Sequence, residues 1–503
     1  MTRGPREIEL KLQLRRGSRQ VIEATRKFAA VAPKRLDLLS TYYDTPDGVL
    51  RKAGLTLRVR RMGAMRIQTV KAMESRWGIS SDRPEWEWPI QHDSPNLDPL
   101  SATSALKRIV PKIRGGLLPL FESKIRRTVY LLHLTDGTIV EASIDEGAIR
   151  VGARRQAVSE LELELKAGPI GPLYGLASQL QKAARLWISP ESKFARGLRL
   201  AIGDDDTPHK PEPVALKKRG SAAGGLHAIL GTTLGHLVAN IPQTLRGSPG
   251  GLHQMRAALR ATRAALQLFE PVVDCSTANS WDLRLQRLGH LFGRARDWDV
   301  FCLRMLPKAK RDLGNSDLRP LTRAAEIDRE RAHKAVEDAI RGHAFSALIL
   351  EIAQWAETGL AKPHAFGPRM DKRLKHMAPA LLNRIHLRAR RKTRHLNQLS
   401  VLELHALRKS LKRVRYDAQN LGALFPLRAA RDYCKACQGV LQILGTIHDA
   451  AMTRRLAKRL TSNGAHSVAK LALERWSLRR AARAKLELET AVSKFKHAPV
   501  FWS

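Results

Sequence analysis

Near the start of the chain Glu7, Glu9 and Lys11 alternate with Ile8, Leu10, Leu12 and Leu14. Alternate side chains of a strand share a face, so two carboxylates and an ammonium project together while the aliphatic residues pack behind. That trio can hold a divalent cation and touch an anion beside it. The pattern returns at Glu160, Glu162, Glu164 and Lys166, backed by Leu161, Leu163 and Leu165. Alternating basic segments lie between. Thr56, Arg58 and Arg60 share a face, Lys71 sits beside Thr69, and Arg83, Glu85 and Glu87 oppose Trp86 and Trp88. The run from Phe121 to Tyr130 carries Arg126 and Arg127, and a further run offers Glu141 and Asp145.

One such strand alone is more simply a solvated face. Several of them require a different arrangement. Two acidic strands repel as neighbours unless basic strands or counter-ions separate them. Many strands with one apolar and one charged face point to a closed or nearly closed antiparallel barrel with a polar lumen. A lumen lined by Arg, Lys, Glu and Asp must hold something ionic, and phosphate with a metal ion fits that chemistry.

The second half of the chain changes period from two to that of a helix. His253, Arg256, Arg260 and Arg263 fall on one stripe, next to an apolar stripe of Leu252, Met255, Leu259 and Leu266. His405, Arg408, Lys412 and Arg415 repeat the basic stripe at an offset of 405 − 253 = 152, with Lys409 and Arg413 widening it. The same offset carries Leu259 to Leu411, Gly293 to Gly445 and Arg296-Asp297 to His448-Asp449. A shared, ungapped offset is the mark of a duplicated helical unit. Either stripe alone could be a solvated basic face. Duplication and the charge balance favour a polyanion groove, while each histidine could equally be a hydrogen-bonded residue at a helix start.

That balance is extreme: Lys+Arg number 88 against 47 Asp+Glu, a formal net charge of +41 over 503 residues. Such a charge expects a polyanionic partner, and such a length expects two or three domains. Three prolines and a charge switch between Gly203 and Gly225 read as a linker. The expected organisation is a β domain over 1–203, a linker over 204–224 and a helical domain over 225–503, its copies lying around 226–370 and 371–503. No apolar run reads as a bilayer span, and residues 1–6 lead into a strand rather than a signal peptide, so a cytoplasmic location is expected. Cys275, Cys302, Cys434 and Cys437 form no disulfide framework. The lone C-x-x-C lacks a second pair for zinc and reads as core.

With these residues in order, the N-terminal part resembles the CYTH family, the triphosphate tunnel fold of class IV adenylate cyclases and thiamine triphosphatases. Glu7, Glu9 and Lys11 resemble its opening E-x-E-x-K. Tyr43-Asp44-Thr45-Pro46 and Leu57-Arg58-Val59-Arg60 resemble its turn and L-R-x-R strand. Thr69 to Lys71, Arg83 to Glu87 and Glu160 to Glu164 resemble its T-x-K, R-x-E-x-E and closing acidic strand, and Ser192-Lys193 before Gly197 its end. The resemblance implies hydrolysis of inorganic triphosphate or short polyphosphate with Mg²⁺ or Mn²⁺. It implies Glu7, Glu9 and Lys11 as catalytic residues, and Glu7, Glu9, Asp145, Glu162 and Glu164 as metal ligands. Arg58, Arg60, Lys71, Arg83, Arg127 and Lys193 are implied as phosphate ligands, with Arg126 in place of Arg127 if the strand register differs.

The helical part resembles the CHAD domain, a helical duplication that binds inorganic polyphosphate. His405, Arg408, Lys412, Arg413 and Arg415 resemble its H-x-x-R and R-R-x-R signature, with Lys for the first Arg. The first copy has Ala261 where the second arginine is usual, leaving His253, Arg256, Arg260 and Arg263. The expected fold is α+β multidomain: an antiparallel β tunnel followed by two duplicated four-helix bundles. The resemblance extends the cytoplasmic expectation to association with polyphosphate granules. Alternatives are a polyphosphate-granule binding protein without turnover, an adenylate cyclase-like activity and a thiamine triphosphatase-like activity. Nucleic acid is a poor specific ligand, because aromatics are 5% of residues and Trp77, Trp86 and Trp88 lie outside the basic helices.

Overall fold

Alternation at Glu7–Lys11 and Glu160–Lys166 becomes two neighbouring strands of one closed sheet. In the computed structural model the described residues are 6–72, 75–77, 79–114, 116–203, 207–273, 276–314, 317–362, 367–460 and 467–502. The chain divides into two units: Met1–Pro208 with Ile340–Glu357, and His209–Ala339 with Thr358–Ser503.

In the first unit the strands are β1 (Arg6–Gln13), β2 (Lys34–Asp44), β3 (Leu55–Met62), β4 (Met65–Ala72) and β5 (Ser75–Trp77). They continue with β6 (Ser80–Ile90), β7 (Leu118–His133), β8 (Ile139–Val151), β9 (Arg154–Ala167) and β10 (Trp187–Ile188). Their order is β10-β1-β9-β8-β7-β2-β3-β4-β6-β5, and β1 also pairs with β6. That last pairing, Arg6 to Glu9 against Pro84 to Ser81, closes the antiparallel barrel. The strand β10 extends the other end of β1, at Leu12 and Gln13.

The barrel is apolar outside and charged inside. On β3, β4 and β6 the outward Leu57, Val70, Trp86 and Trp88 pack with Leu50, Leu100, Leu106, Val110 and Ile113. Outward Leu10, Leu12, Leu161 and Leu163 are buried on the other side. Because the outer face carries the hydrophobic burial, the inward face is released for charge. One end of the lumen has an apolar floor of Leu38, Tyr42, Phe121, Ile125, Ile149, Val158 and Phe194. The helix Lys193–Ile202, N-capped by Ser192, delivers Phe194 to it. A Cβ at Gly197 would stand 2.2 Å from the Phe121 ring, so glycine lets this helix seat against the floor. Asp44 of the tyrosine-aspartate-threonine turn is buried and accepts from the amides of Thr45 and Leu50, both at 2.8 Å. It caps the turn before β3 and is not lumenal chemistry.

The second unit is helical and visibly duplicated. Ala222–Ala239 and Leu374–Arg391 start 374 − 222 = 152 residues apart, as do Pro249–Phe269 and Val401–Leu421 (401 − 249). Ser248 and Ser400 cap the second pair, Ser400 with a reciprocal bond to Glu403. Ser276–Val300 continues through a π turn at Phe301–Met305 to Leu313, where the second copy has the unbroken helix Leu427–Leu460. The helices Arg319–Arg341 and Ser467–His497 complete the two four-helix sets. A shared core joins Trp298, Phe301, Met305 and Leu321 of the first copy to Met452, Leu456, Leu473 and Trp476 of the second.

Two details depart from the sequence reading. Ile340–Glu357, from the middle of the helical half, clusters with the first unit. There the Ser346 hydroxyl accepts from the Ile188 amide at 3.0 Å and Gln181 donates to the His343 carbonyl at 2.9 Å. The stretch Ala222–Leu245 is long and apolar enough to cross a membrane, contrary to the expectation that none is, yet most of it is buried as a core helix. Cys302 and Cys437 are buried and burial pushes both thiols up to about 12, which suits core residues. Cys275 lies outside the described residues.

Candidate functional site

Strand parity and register bring the lumenal charges together. β1 sets Glu9 opposite Glu164 and Lys11 opposite Glu162, and β8 sets Glu141 opposite Glu164 and Asp145 opposite Glu160. Across the barrel, β3 sets Arg58 between Tyr42 and Thr69, and Arg60 opposite Ser40.

The deep half of the lumen is a compensated ion network. Arg127 holds Asp145 with two bonds, 2.7 and 2.6 Å, and also bonds Glu162. Lys193 lies 2.6 Å from Asp145 and 2.9 Å from Glu162, and bonds Glu160, which Arg196 also holds. Lys11 bonds Glu9 at 3.0 Å and also Glu162. Burial alone would push Glu162 up, but Lys11, Lys193 and Arg127 outweigh it and hold the carboxyl well below its ordinary range. Burial pulls Arg127 down, and Asp145 and Glu162 more than reverse it.

Nearer the other end, Lys71 bonds both Glu7 oxygens at 2.9 and 2.7 Å and Glu85 at 2.9 Å. Arg58 lies 3.7 Å from Glu85 and from Glu87, and its buried Nε has no hydrogen-bond partner among the described residues. Arg60 differs from the rest. Its guanidinium donates to the Ser40 hydroxyl at 3.2 Å, and no ion pair joins it to a carboxylate among the described residues. Burial, then Arg58 and Arg127, pull it down to about 9. A buried guanidinium flanked by two others calls for an anion.

Glu7, Glu9, Glu141 and Glu164 are carboxylates on the neighbouring strands β1, β8 and β9, with Glu7 held by Lys71 and Glu9 by Lys11. Burial, with Glu7 and Glu141 close by, pushes Glu164 up despite Lys166 at 2.7 Å. The repulsion that Glu7 and Glu141 exert on Glu164 is of the kind a hard divalent cation relieves. Asp145, Glu160 and Glu162 offer oxygens within 4.8 Å of one another, a grouping that could hold a metal ion, and Arg127, Lys193, Arg196 and Lys11 also bond to them. Of the five expected metal ligands, Asp145 and Glu162 belong to this group, with Glu160 beside them, while Glu7, Glu9 and Glu164 lie on β1 and β9, bonded to Lys71, Lys11 and Lys166. The side chain of Arg83 lies outside the described residues.

In the second unit the two basic stripes converge. The Arg260 guanidinium donates to Tyr416 Oη at 3.3 Å, across the two copies. The charges of Arg256, Arg260, Arg408 and Arg415 all act on Lys412. His405 stacks on His448, ring centroids 5.1 Å apart. Burial, then Arg296, Arg260 and Arg256, bring His253 down to about 4, and burial with Arg408 brings His448 down to about 3. Gly293 and Gly445 lie under the guanidiniums of Arg256 and Arg408, where an added Cβ would stand 3.4 and 3.3 Å away. Arg263 is drawn off to Asp282, at 2.9 and 3.0 Å, and to Gln286. Arg413 turns to the buried Asp417 at 3.7 Å.

Comparison with known proteins matches this division. Residues 5–198 fit the CYTH domain family model and residues 228–458 the CHAD domain family model. The chain joins a CYTH domain to a CHAD domain. An inorganic triphosphatase of Haemophilus influenzae is 31% identical over 199 residues, 39% of this chain and 54% of that protein. The chain thus spans about half the length of this curated relative. The CHAD domain from the plant Ricinus communis, 23% identical, superposes with a TM-score of 0.51 over 59% of this chain and 99% of that one, a likeness of fold.

Sequence reasoning missed several residues of both domains. In the CYTH domain Arg196 was readable from its i+3 spacing to Lys193, on the same face of one helix. Tyr42 and Ser40 were readable from parity on β2, whereas Glu141 and Glu160 were placed on charged faces by alternation but given no role. Burial would push Tyr42 up, but Arg58, Arg60 and Lys193 bring it down. In the CHAD domain Tyr416 carried no signal, since its role depends on the other copy.

Proposed function

We propose that the CYTH domain hydrolyses inorganic triphosphate to diphosphate and phosphate with Mg²⁺ or Mn²⁺, and that the CHAD domain binds polyphosphate. The observation that carries this reading is Arg60, a lumenal cation without a carboxylate ion pair among the described residues, in the same barrel as carboxylates of which Glu164 is held up by Glu7 and Glu141. An anion and a metal ion together relieve both.

Arg58 and Arg60 clamp phosphate oxygens by charge-assisted hydrogen bonds. Lys71 exchanges one of its carboxylates for a phosphate oxygen, and Arg127 and Lys193, held by Asp145 and Glu162, fix the potential beneath. Glu7, Glu9, Asp145, Glu162 and Glu164 would hold the metal, which supplies charge neutralisation and an activated water. Lys11, oriented by Glu9 and Glu162, stabilises charge near the terminal phosphate. Water attacks the terminal phosphorus, the P–O–P bond breaks and diphosphate leaves. A polyanion-binding domain on the same chain raises the local concentration of substrate.

The test is phosphate release from triphosphate, ATP, thiamine triphosphate and long polyphosphate, with Mg²⁺ or Mn²⁺, beside a Glu7→Ala/Glu9→Ala variant. Selective triphosphate turnover lost in the variant supports the reading. No turnover on any substrate, with polyphosphate still bound, makes the protein a binding or targeting protein.

A further inference from the structure

The converging face of the CHAD domain contains an asymmetry between its two copies. Arg260 and Lys412 occupy equivalent positions, one repeat offset apart (412 − 260 = 152). They belong to one cluster: Arg260 donates at 3.3 Å to Tyr416 Oη, on the same helix as Lys412, and Arg256 and Arg408 lie over Gly293 and Gly445. Lys412 is half-buried on the Val401–Leu421 helix, and no hydrogen bond or ion pair holds its ammonium among the described residues. Arg256 and Arg260 face it from the Pro249–Phe269 helix, and Arg408 and Arg415 from its own. From Leu427–Leu460 His448 and Asp449 act on this cluster, from Ser276–Val300 Arg296 and Asp297 do, and His405 does so from the same helix as Lys412. Those carboxylates are shared: Asp297 is held by Arg455 at 2.6 Å, and Asp449 lies by Arg408, Arg304 and Lys412.

A guanidinium cannot give up its proton in water, whereas an ammonium can. In a cluster of four arginines and one lysine, repulsion is therefore relieved at the lysine. We propose that this face captures polyphosphate together with a proton taken up at Lys412, so that binding is linked to pH through one residue. The inference rests on the polyphosphate reading above and adds its regulation. Burial with the surrounding arginines brings the ammonium down to about 6, so the free protein holds it neutral at pH 8. A phosphate chain laid among these cations supplies the missing negative charge and restores the charged form. Between the free and bound values, affinity then falls by about tenfold for each pH unit of increase. In the free protein His253 and His448, brought to about 4 and about 3, lie below this range, and His405 is lowered as well.

The full chain, without divalent metal so that no turnover occurs, is titrated calorimetrically with polyphosphate of defined length at pH 8. Two buffers of different ionisation enthalpy are used. The expected result is uptake of about one proton per chain by the wild type, and close to none by Lys412→Arg or by Lys412→Met, with binding retained in the arginine variant. Equal heats in both buffers for the wild type would overturn the proposal and leave the polyphosphate reading standing, with no variant needed. No binding at any salt concentration would overturn that reading and the proposal with it.

Discussion

The barrel lumen and the converging helical face are both dense in Arg and Lys, but they handle charge in opposite ways. In the lumen, carboxylates alternate with cations, and Arg127, Lys193 and Arg196 are held above their ordinary values by their partners. On the helical face the cations adjoin one another, and Arg256, Arg408 and Lys412 are held below. A network compensated within the fold is preorganised and leaves few places for a ligand, at Arg60 and around Glu164. A cluster of like charges is a site for almost any polyanion, discriminating by length and charge density. The first arrangement suits chemistry on a small ligand, the second capture of a long one.

The comparison is broken most severely at the lumenal carboxylates. Glu9→Ala should lower triphosphate turnover by about 10³-fold or more and leave polyphosphate affinity within about twofold, measured by phosphate release and by filter binding.

Next in size is the compensated network itself. Lys193→Met removes the ammonium shared by Asp145, Glu160 and Glu162. Stranding buried charge should cost about 3–5 kcal/mol of stability, read from urea unfolding. Arg256→Gln on the helical face should do the reverse and leave the fold unharmed or slightly more stable, since like charges are relieved.

Arg256→Gln sharpens the contrast by a smaller amount in binding. It should reduce the slope of log affinity for polyphosphate against log salt by about one unit, while triphosphate turnover keeps its salt dependence.

The smallest effect concerns pH. Glu164 is raised in the fold, so the native state holds its proton more tightly than the unfolded chain. That stabilisation is present below the unfolded value and is lost as pH rises through the folded one. Metal-free Glu164→Gln should therefore gain about 1–3 °C in Tm over wild type at pH 7, and the gain should vanish at acid pH.

Much of this was legible in the sequence because period-two alternation fixes which side chains share a face. Glu7, Glu9, Lys11, Arg58, Arg60 and Lys71 all point inward as parity required. The duplication was legible because its offset is ungapped over the core helices, and helix starts at 222, 249, 374 and 401 obey it. Closure between β1 and β6 was not, since nothing local encodes a pairing of distant segments. Nor could parity say that Asp145 and Glu162 would be bonded to Arg127 and Lys193. Arg263 lies on the expected stripe, yet its height along the helix places it beside Asp282. Arg413 follows Arg408 by five residues, roughly 140° around the helix, and so faces Asp417.

The most direct test of a division of labour between the two charged regions is one paired measurement. Triphosphate turnover and polyphosphate affinity are determined for Arg60→Ala and for Arg256→Gln/Arg408→Gln. The account predicts that Arg60→Ala loses about 10²–10³-fold in turnover with unchanged polyphosphate affinity, and that the double variant does the opposite. Parallel losses of both properties in either variant, or full turnover in Arg60→Ala, would contradict it.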